Sequence, residues 1–62
     1  METKRYQNRM GNEAIILSRY TEMAGKKASK AVKCRIIKGV TFEAGLEFSS
    51  SEEQYNKDWR AI

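Results

Sequence analysis

Cys34 is the side chain with the clearest chemical potential, because it lies between Lys33 and Arg35. Neighbouring cations lower the pKa of a thiol and favour the nucleophilic thiolate. In a strand, however, successive side chains point to opposite faces, so Cys34 would point with Val32 and Ile36 and away from both cations. Free cysteines are usually buried, and we therefore expect a structural thiol rather than a nucleophile.

Other catalytic groups are scarce. The 62 residues include no histidine, which is the commonest general base. Gly39 and Gly45 are isolated and do not form a phosphate-binding loop. Glu43 and Glu47 would be neighbours on one strand face, but they have no companion ligands for a metal. We expect no enzymatic activity, no cofactor, no metal and no small-molecule substrate.

Charge is segregated along the chain, which carries a net charge of +4. Residues 26–38 contain six basic side chains and no acid, whereas residues 39–58 contain five acids and one lysine. One interpretation is a nucleic-acid site in which cations contact phosphates and a basic N-terminal arm adds further contacts. Its residues would be Lys4, Arg5, Arg9, Lys26, Lys27, Lys30, Lys33, Arg35 and Lys38.

A second interpretation of the same cluster is a solvated strand edge. The lysines would then oppose edge-to-edge aggregation, and the cations of the strand would pair with Glu43 and Glu47 across a hairpin. Aromatic side chains, on which unpaired bases stack, are not interleaved with the basic cluster. The sequence leaves both interpretations open.

The apolar core must be thin, because only twelve side chains are Val, Ile, Leu, Phe or Trp. Chains this short often gain stability from disulfides, a metal or association. A single cysteine makes no internal disulfide, so association is the remaining aid. Spare apolar surface would suit a homodimer or docking on a larger protein. The candidate interface residues are Ile37, Ile15, Tyr20 and Trp59.

The stretch from Glu13 to Ala24 shows helical spacing of its apolar residues, with Asn12 as a candidate cap and Gly25 as a candidate end. The spacing predicts a helix over 13–24. The run Ile15-Ile16-Leu17 is also typical of a strand, and a strand there is the alternative.

Two alternating stretches follow and predict a β-hairpin, with Val32, Cys34 and Ile36 in the first strand. The second strand would cover residues 40–48. A three-residue loop through Val40 would place Ile36 opposite Phe42 and Arg35 opposite Glu43.

Ser50 and Ser51 each begin a capping box, with Glu53 and Gln54 respectively, and so predict a terminal helix. Its face would include Tyr55, Trp59 and Ile62. The fold class expected is α+β: an N-terminal helix, an antiparallel hairpin or small three-stranded sheet, and a C-terminal helix. The alternative is a small β-barrel with a C-terminal helix. Residues 1–11 would form a flexible basic arm and residues 12–62 one small domain.

The leading functional expectation is a small non-enzymatic regulator, an adaptor or inhibitor that acts by protein–protein contact. Its size would suit a virus-encoded accessory protein. The alternative is a DNA- or RNA-binding factor that uses residues 26–38 and the N-terminal arm. The longest apolar run, Ala14 to Leu17, is too short to cross a bilayer, so we expect a cytoplasmic protein with no membrane contact.

Overall fold

Antiparallel strands form most of the structure. In the computed structural model, which describes residues 2–62, five strands and one helix follow in chain order: β1 (Arg5–Gln7), β2 (Glu13–Ala24), β3 (Lys27–Lys38), β4 (Glu47–Ser51), α1 (Glu52–Asp58) and β5 (Arg60–Ala61). The strands lie in the order β4-β3-β2-β1-β5 within one sheet. Residues 5–7, which belong to the predicted basic arm, thus pair with β2 and β5. Met1 lies outside the described residues.

The predicted helix over 13–24 is wrong, because this stretch is the long strand β2. Ala14 and Ile16 are buried while Glu13 and Ile15 are only partly covered, which is the alternation of a strand. The β-branched and aromatic residues of the stretch favour extended backbone, and β3 supplies hydrogen bonds along its whole length. Local spacing alone could not distinguish this arrangement from a helix.

Part of the β2–β3 hairpin stands clear of the rest of the sheet. Gly25 and Lys26 form the two-residue turn, and Gly25 has φ +63°, as the first central position of a type II′ turn requires. Residues 18–30, which we call the ribbon, are all exposed. Over this range, within the described chain, β2 and β3 have no strand partner other than each other.

The predicted register of the second hairpin is also wrong. Cys34 lies opposite Phe48 and Arg35 opposite Glu47, so the partner strand is displaced by four residues from the expected pairing. An even displacement keeps each side chain on its predicted face, and Arg35 still meets an acid on the exposed side. Residues 39–46 form a loop instead of the predicted strand.

The helix after β4 is short and is not terminal. The Ser51 hydroxyl accepts a hydrogen bond from the Gln54 amide at 3.1 Å, so the second of the two predicted caps is the one used. The helix ends at Asp58, and β5 follows. The α+β prediction with helices at both ends is therefore wrong. The barrel alternative had a strand at the Ile15 run, but it too placed the helix last.

The core lies between α1 and one face of the sheet. Its buried side chains include Tyr55 from α1 and Trp59, with Phe48 and Tyr6 packed against them. Phe48 and Tyr55 both stack on Trp59, with ring centroids 5.8 and 5.7 Å away. Of the three residues predicted to face the core, Tyr55 and Trp59 are buried. Ile62 is exposed because the helix stops before it. Within residues 2–62 no helix has the length and apolar character needed to span a membrane.

Candidate functional site

Cys34 is completely buried beneath α1, as its strand pattern predicted. Burial raises the pKa of the thiol, so the neutral form is favoured. The Tyr55 hydroxyl is buried nearby without a hydrogen-bond partner of normal geometry among the described residues. Burial, followed by the proximity of Cys34, raises the pKa of Tyr55. These two groups belong to the core and offer no accessible nucleophile.

On the exposed face of the sheet, several of the cations predicted to bind nucleic acid form ion pairs with glutamates. Arg35 contacts Glu47 through Nη2 and Oε2 at 2.7 Å, and Lys33 reaches the same carboxylate at 3.6 Å. The hydrogen bond from Arg35 holds the pKa of Glu47 below its usual value. Arg5 and Lys38 likewise flank Glu13, at 3.8 and 3.7 Å.

The remaining predicted cations lie in different parts of the molecule. Lys26, Lys27 and Lys30 lie on the ribbon and make no ion pair within residues 2–62. Lys4 lies over the ring of Tyr6, with its Nζ 5.9 Å from the centroid. Arg9 lies in the loop between β1 and β2. The structure therefore divides the predicted nucleic-acid residues instead of joining them in one surface.

The four predicted interface residues are also separated. Ile15 is half-buried on β2, Tyr20 lies on the ribbon, and Ile37 lies near the end of β3 with 37% of its surface exposed. Trp59 is buried, but it also lines a groove on the surface. That groove is the main site that sequence reasoning missed.

The groove opens between the loops 8–12 and 39–46, β4 and the end of α1, and its volume is about 520 Å³. Met10, Phe42 and Leu46 line it with 60%, 45% and 47% of their surfaces exposed. Phe48 and Trp59 complete the apolar lining, and we call the site formed by these five side chains the apolar groove. Apolar side chains that converge while half exposed are typical of a surface that binds a partner.

Asn12 fixes the two loops that form the groove. Its Oδ1 accepts hydrogen bonds from the amides of Val40, Thr41 and Phe42, at 2.7, 2.9 and 3.1 Å. Its Nδ2 donates to Thr41 Oγ1 at 2.8 Å. The Asn12 side chain is fully buried, so it replaces water as the partner of these amides.

A second, polar depression continues from the groove. Asn8 and Arg9 line both, and we call the second one, with Arg9, Lys57 and Arg60 in its wall, the basic hollow. Lys57 lies 3.7 Å from Glu53 across one helical turn, while Arg9 and Arg60 make no ion pair within residues 2–62. An apolar surface thus adjoins a positively charged one.

The sequence pattern did not predict the apolar groove. Val40, Phe42 and Leu46 alternate with polar residues, and this alternation predicted a core-facing strand. The only local warning was the pair Gly39 and Gly45, which bracket the loop.

Comparisons with family models, with curated proteins and with solved structures find no match for the chain. The geometry and charge of these surfaces are therefore the basis for inferring a function.

Proposed function

We propose that this protein is a small non-enzymatic regulator that binds an extended segment of a larger protein in the apolar groove. The observation that carries the proposal is the convergence of Met10, Phe42 and Leu46, each about half exposed, around one depression. The segment would place apolar side chains in the groove and acidic side chains in the basic hollow. Binding of this kind would let the protein act as an adaptor or an inhibitor.

The free edge of β4 supports an extended partner. β4 is the last strand on its side of the sheet, and residues from both of its faces, Phe48 and Ser49, line the groove. The groove therefore follows the strand edge, where backbone amides and carbonyls can pair with an added strand. Strand addition supplies hydrogen bonds, and the groove supplies side-chain selectivity.

Charge favours an acidic partner over a second copy of this chain. Arg9 and Asp58 line the groove, Arg60 and Lys57 line the adjoining basic hollow, and the chain has a net charge of +4. A symmetric dimer through the same surface would bring these cations close to their own copies, which repel. Carboxylates on a different protein would instead meet opposite charge.

The expected affinity is modest. Complete burial of a Met, Phe or Leu side chain yields roughly 1.5–3 kcal/mol, and these three are already about half covered. The gain is therefore about 1 kcal/mol from each, to which strand pairing adds about 1 kcal/mol for each net hydrogen bond. After the cost of association, dissociation constants of about 1 μM or weaker are expected.

Selection from a displayed library of random peptides tests the proposal with a defined probe. We expect enrichment of peptides that combine alternating apolar residues with flanking Asp or Glu. Met10→Gln should weaken binding of an enriched peptide about fivefold, equivalent to about 1 kcal/mol. Met23→Gln is the matched control, because Met23 is similarly exposed, at 68%, but lies on the ribbon.

Three outcomes would contradict the proposal. The first is no enrichment, and the second is binding that Met10→Gln leaves unchanged. The third is a dimer in sedimentation equilibrium that Met10→Gln dissociates, which would assign the groove to a second copy. If Arg9→Gln leaves the affinity for acidic peptides unchanged, the role of the basic hollow is wrong.

A further inference from the structure

We propose that the ribbon, at the end of the molecule opposite the apolar groove, is a separate site that binds duplex DNA. The proposal is independent of the groove, because it depends on the shape and charge of residues 18–30. The loops that form the groove adjoin the start of β2 and the end of β3, whereas the turn at Gly25 ends the other side of the hairpin. The longest dimension of the molecule is 38 Å, so both sites can be occupied together.

The first observation is that the ribbon has no covering layer. All residues from 18 to 30 are exposed, and over this range β2 and β3 have no strand partner other than each other within the described chain. An isolated two-stranded hairpin is marginally stable in water. Arg19 anchors the base of the ribbon, with Nη2 3.1 Å from Glu2 Oε1 and Nη1 3.3 Å from Glu52 Oε2. The anchor holds the ribbon in place while leaving its remaining length free for contact.

The second observation is that no lysine of the ribbon forms an ion pair within residues 2–62. Lys26, Lys27 and Lys30 make no ion pair within residues 2–62, whereas Lys33, Lys38 and Lys57 each face a carboxylate. Glu22 is the only acid in the ribbon, and Glu52 of α1 lines two depressions together with Lys30. An anionic partner can therefore approach these three cations without breaking an existing pair.

The placement of the lysines suits a partner that surrounds the ribbon. Lys30 lies opposite Thr21 on one face, Lys27 lies opposite Ala24 on the other, and Lys26 lies in the turn. A flat acidic surface could meet only one of these faces at a time. A groove with anionic walls on both sides can meet all three, and the phosphate backbones of a duplex form such a groove.

Groove dimensions select B-form DNA among nucleic acids. Its major groove is about 12 Å wide and admits a two-stranded β-ribbon. The major groove of duplex RNA is too deep and narrow for side chains to read. Single strands are usually held by stacking on aromatic rings, and Tyr20 is the only aromatic residue of the ribbon. Duplex DNA is thus the occupant that matches both shape and charge.

Fluorescence anisotropy with a short mixed-sequence DNA duplex, at several salt concentrations from about 50 to about 200 mM, tests this site. The test variant is Lys26→Gln with Lys27→Gln and Lys30→Gln. The matched control is Lys33→Gln with Lys38→Gln and Lys57→Gln. Each removes three charges and leaves a net charge of +1 (4 − 3), so any difference reports position rather than total charge.

For the ribbon variant we expect the slope of log K against log salt to fall by about 2.7, which corresponds to three lost phosphate contacts. The control should retain most of the slope. Single-stranded DNA and duplex RNA should bind the wild type more weakly than duplex DNA. Circular dichroism of each variant verifies that the fold is retained.

The proposal is overturned if the wild type does not bind duplex DNA at low salt, or if both variants lose affinity equally. The second result would show an effect of net charge alone. Equal or tighter binding of single strands or duplex RNA would reject the assignment to duplex DNA. None of these results would affect peptide binding in the apolar groove, so the two proposals fail independently.

Discussion

At the scale of single residues, Asn12 joins two loops through its buried side chain. One carboxamide oxygen serves three consecutive backbone amides, and the same side chain links the loops 8–12 and 39–46. A loop with three amides aimed inward would otherwise require ordered water. Asn12 therefore determines whether Phe42 is presented at the apolar groove.

Replacement of Asn12 should destabilise the protein strongly. Asn12→Ala leaves three part-buried amides without their acceptor, each at a cost of about 1 kcal/mol or more. We expect a loss of about 3 kcal/mol or more in the free energy of unfolding, measured by urea titration of Trp59 fluorescence. Asn12→Asp keeps an acceptor for the amides, but it buries a charge and turns an oxygen toward Asn8 Oδ1, so it should also destabilise the protein. A change below about 0.5 kcal/mol for Asn12→Ala would contradict this role.

At the scale of elements, the loop 39–46 depends on a close backbone approach at Gly39. A Cβ atom there would lie 2.1 Å from the carbonyl oxygen of Phe42 and 3.1 Å from the amide nitrogen of Ala44. The loop must shift to admit any side chain, because the opposing atoms belong to the backbone. Position 39 requires glycine because the neighbouring backbone leaves no room for a Cβ atom. Position 25 requires glycine because its φ is positive.

Substitution by alanine should therefore have different effects at Gly39 and at Gly25. Gly39→Ala should move the amide resonances of residues 40–42 and weaken peptide binding in the apolar groove. Gly25→Ala should cost about 1–2 kcal/mol through its φ and leave those resonances in place. Heteronuclear NMR spectra of both variants make the comparison. Unchanged resonances in Gly39→Ala would mean that the loop has more room than the structure shows.

At the scale of the whole molecule, the buried thiol and phenol couple stability to alkaline pH. Burial raises the pKa of Cys34 above 9.0 and that of Tyr55 above 10.0, the ordinary values that apply in the unfolded chain. When the pKa of a group is higher in the folded than in the unfolded chain, the group contributes its full stabilisation at pH values below its pKa in the unfolded chain. This stabilisation is lost as pH rises toward the folded value, because the unfolded chain releases these protons first.

The free energy of unfolding should thus be level from neutral pH to about pH 9 and fall above it. Urea titrations at successive pH values measure this profile. Cys34→Ala removes the thiol, so its decline should begin nearer pH 10, the ordinary range of tyrosine. A level profile through pH 11 in the wild type would contradict the effect of burial.

The sequence by itself determined which side chains of several elements face inward. Cys34 is buried with Val32 and Ile36, and Ser51 caps a helix that carries Tyr55 into the core. These features depend on periods of two or about four residues and on hydrogen bonds within one turn. Such patterns are local, so they can be recognised without knowing the fold.

Only the tertiary structure decided the secondary structure of residues 13–24, the register of β3 with β4, and the presence of the apolar groove. The long pairing with β3 selects a strand where spacing also suited a helix. A displacement of four residues leaves both faces of a strand unchanged, so alternation could not exclude it. Asn12 joins residues about thirty positions apart, and contacts at that separation have no local pattern to predict them.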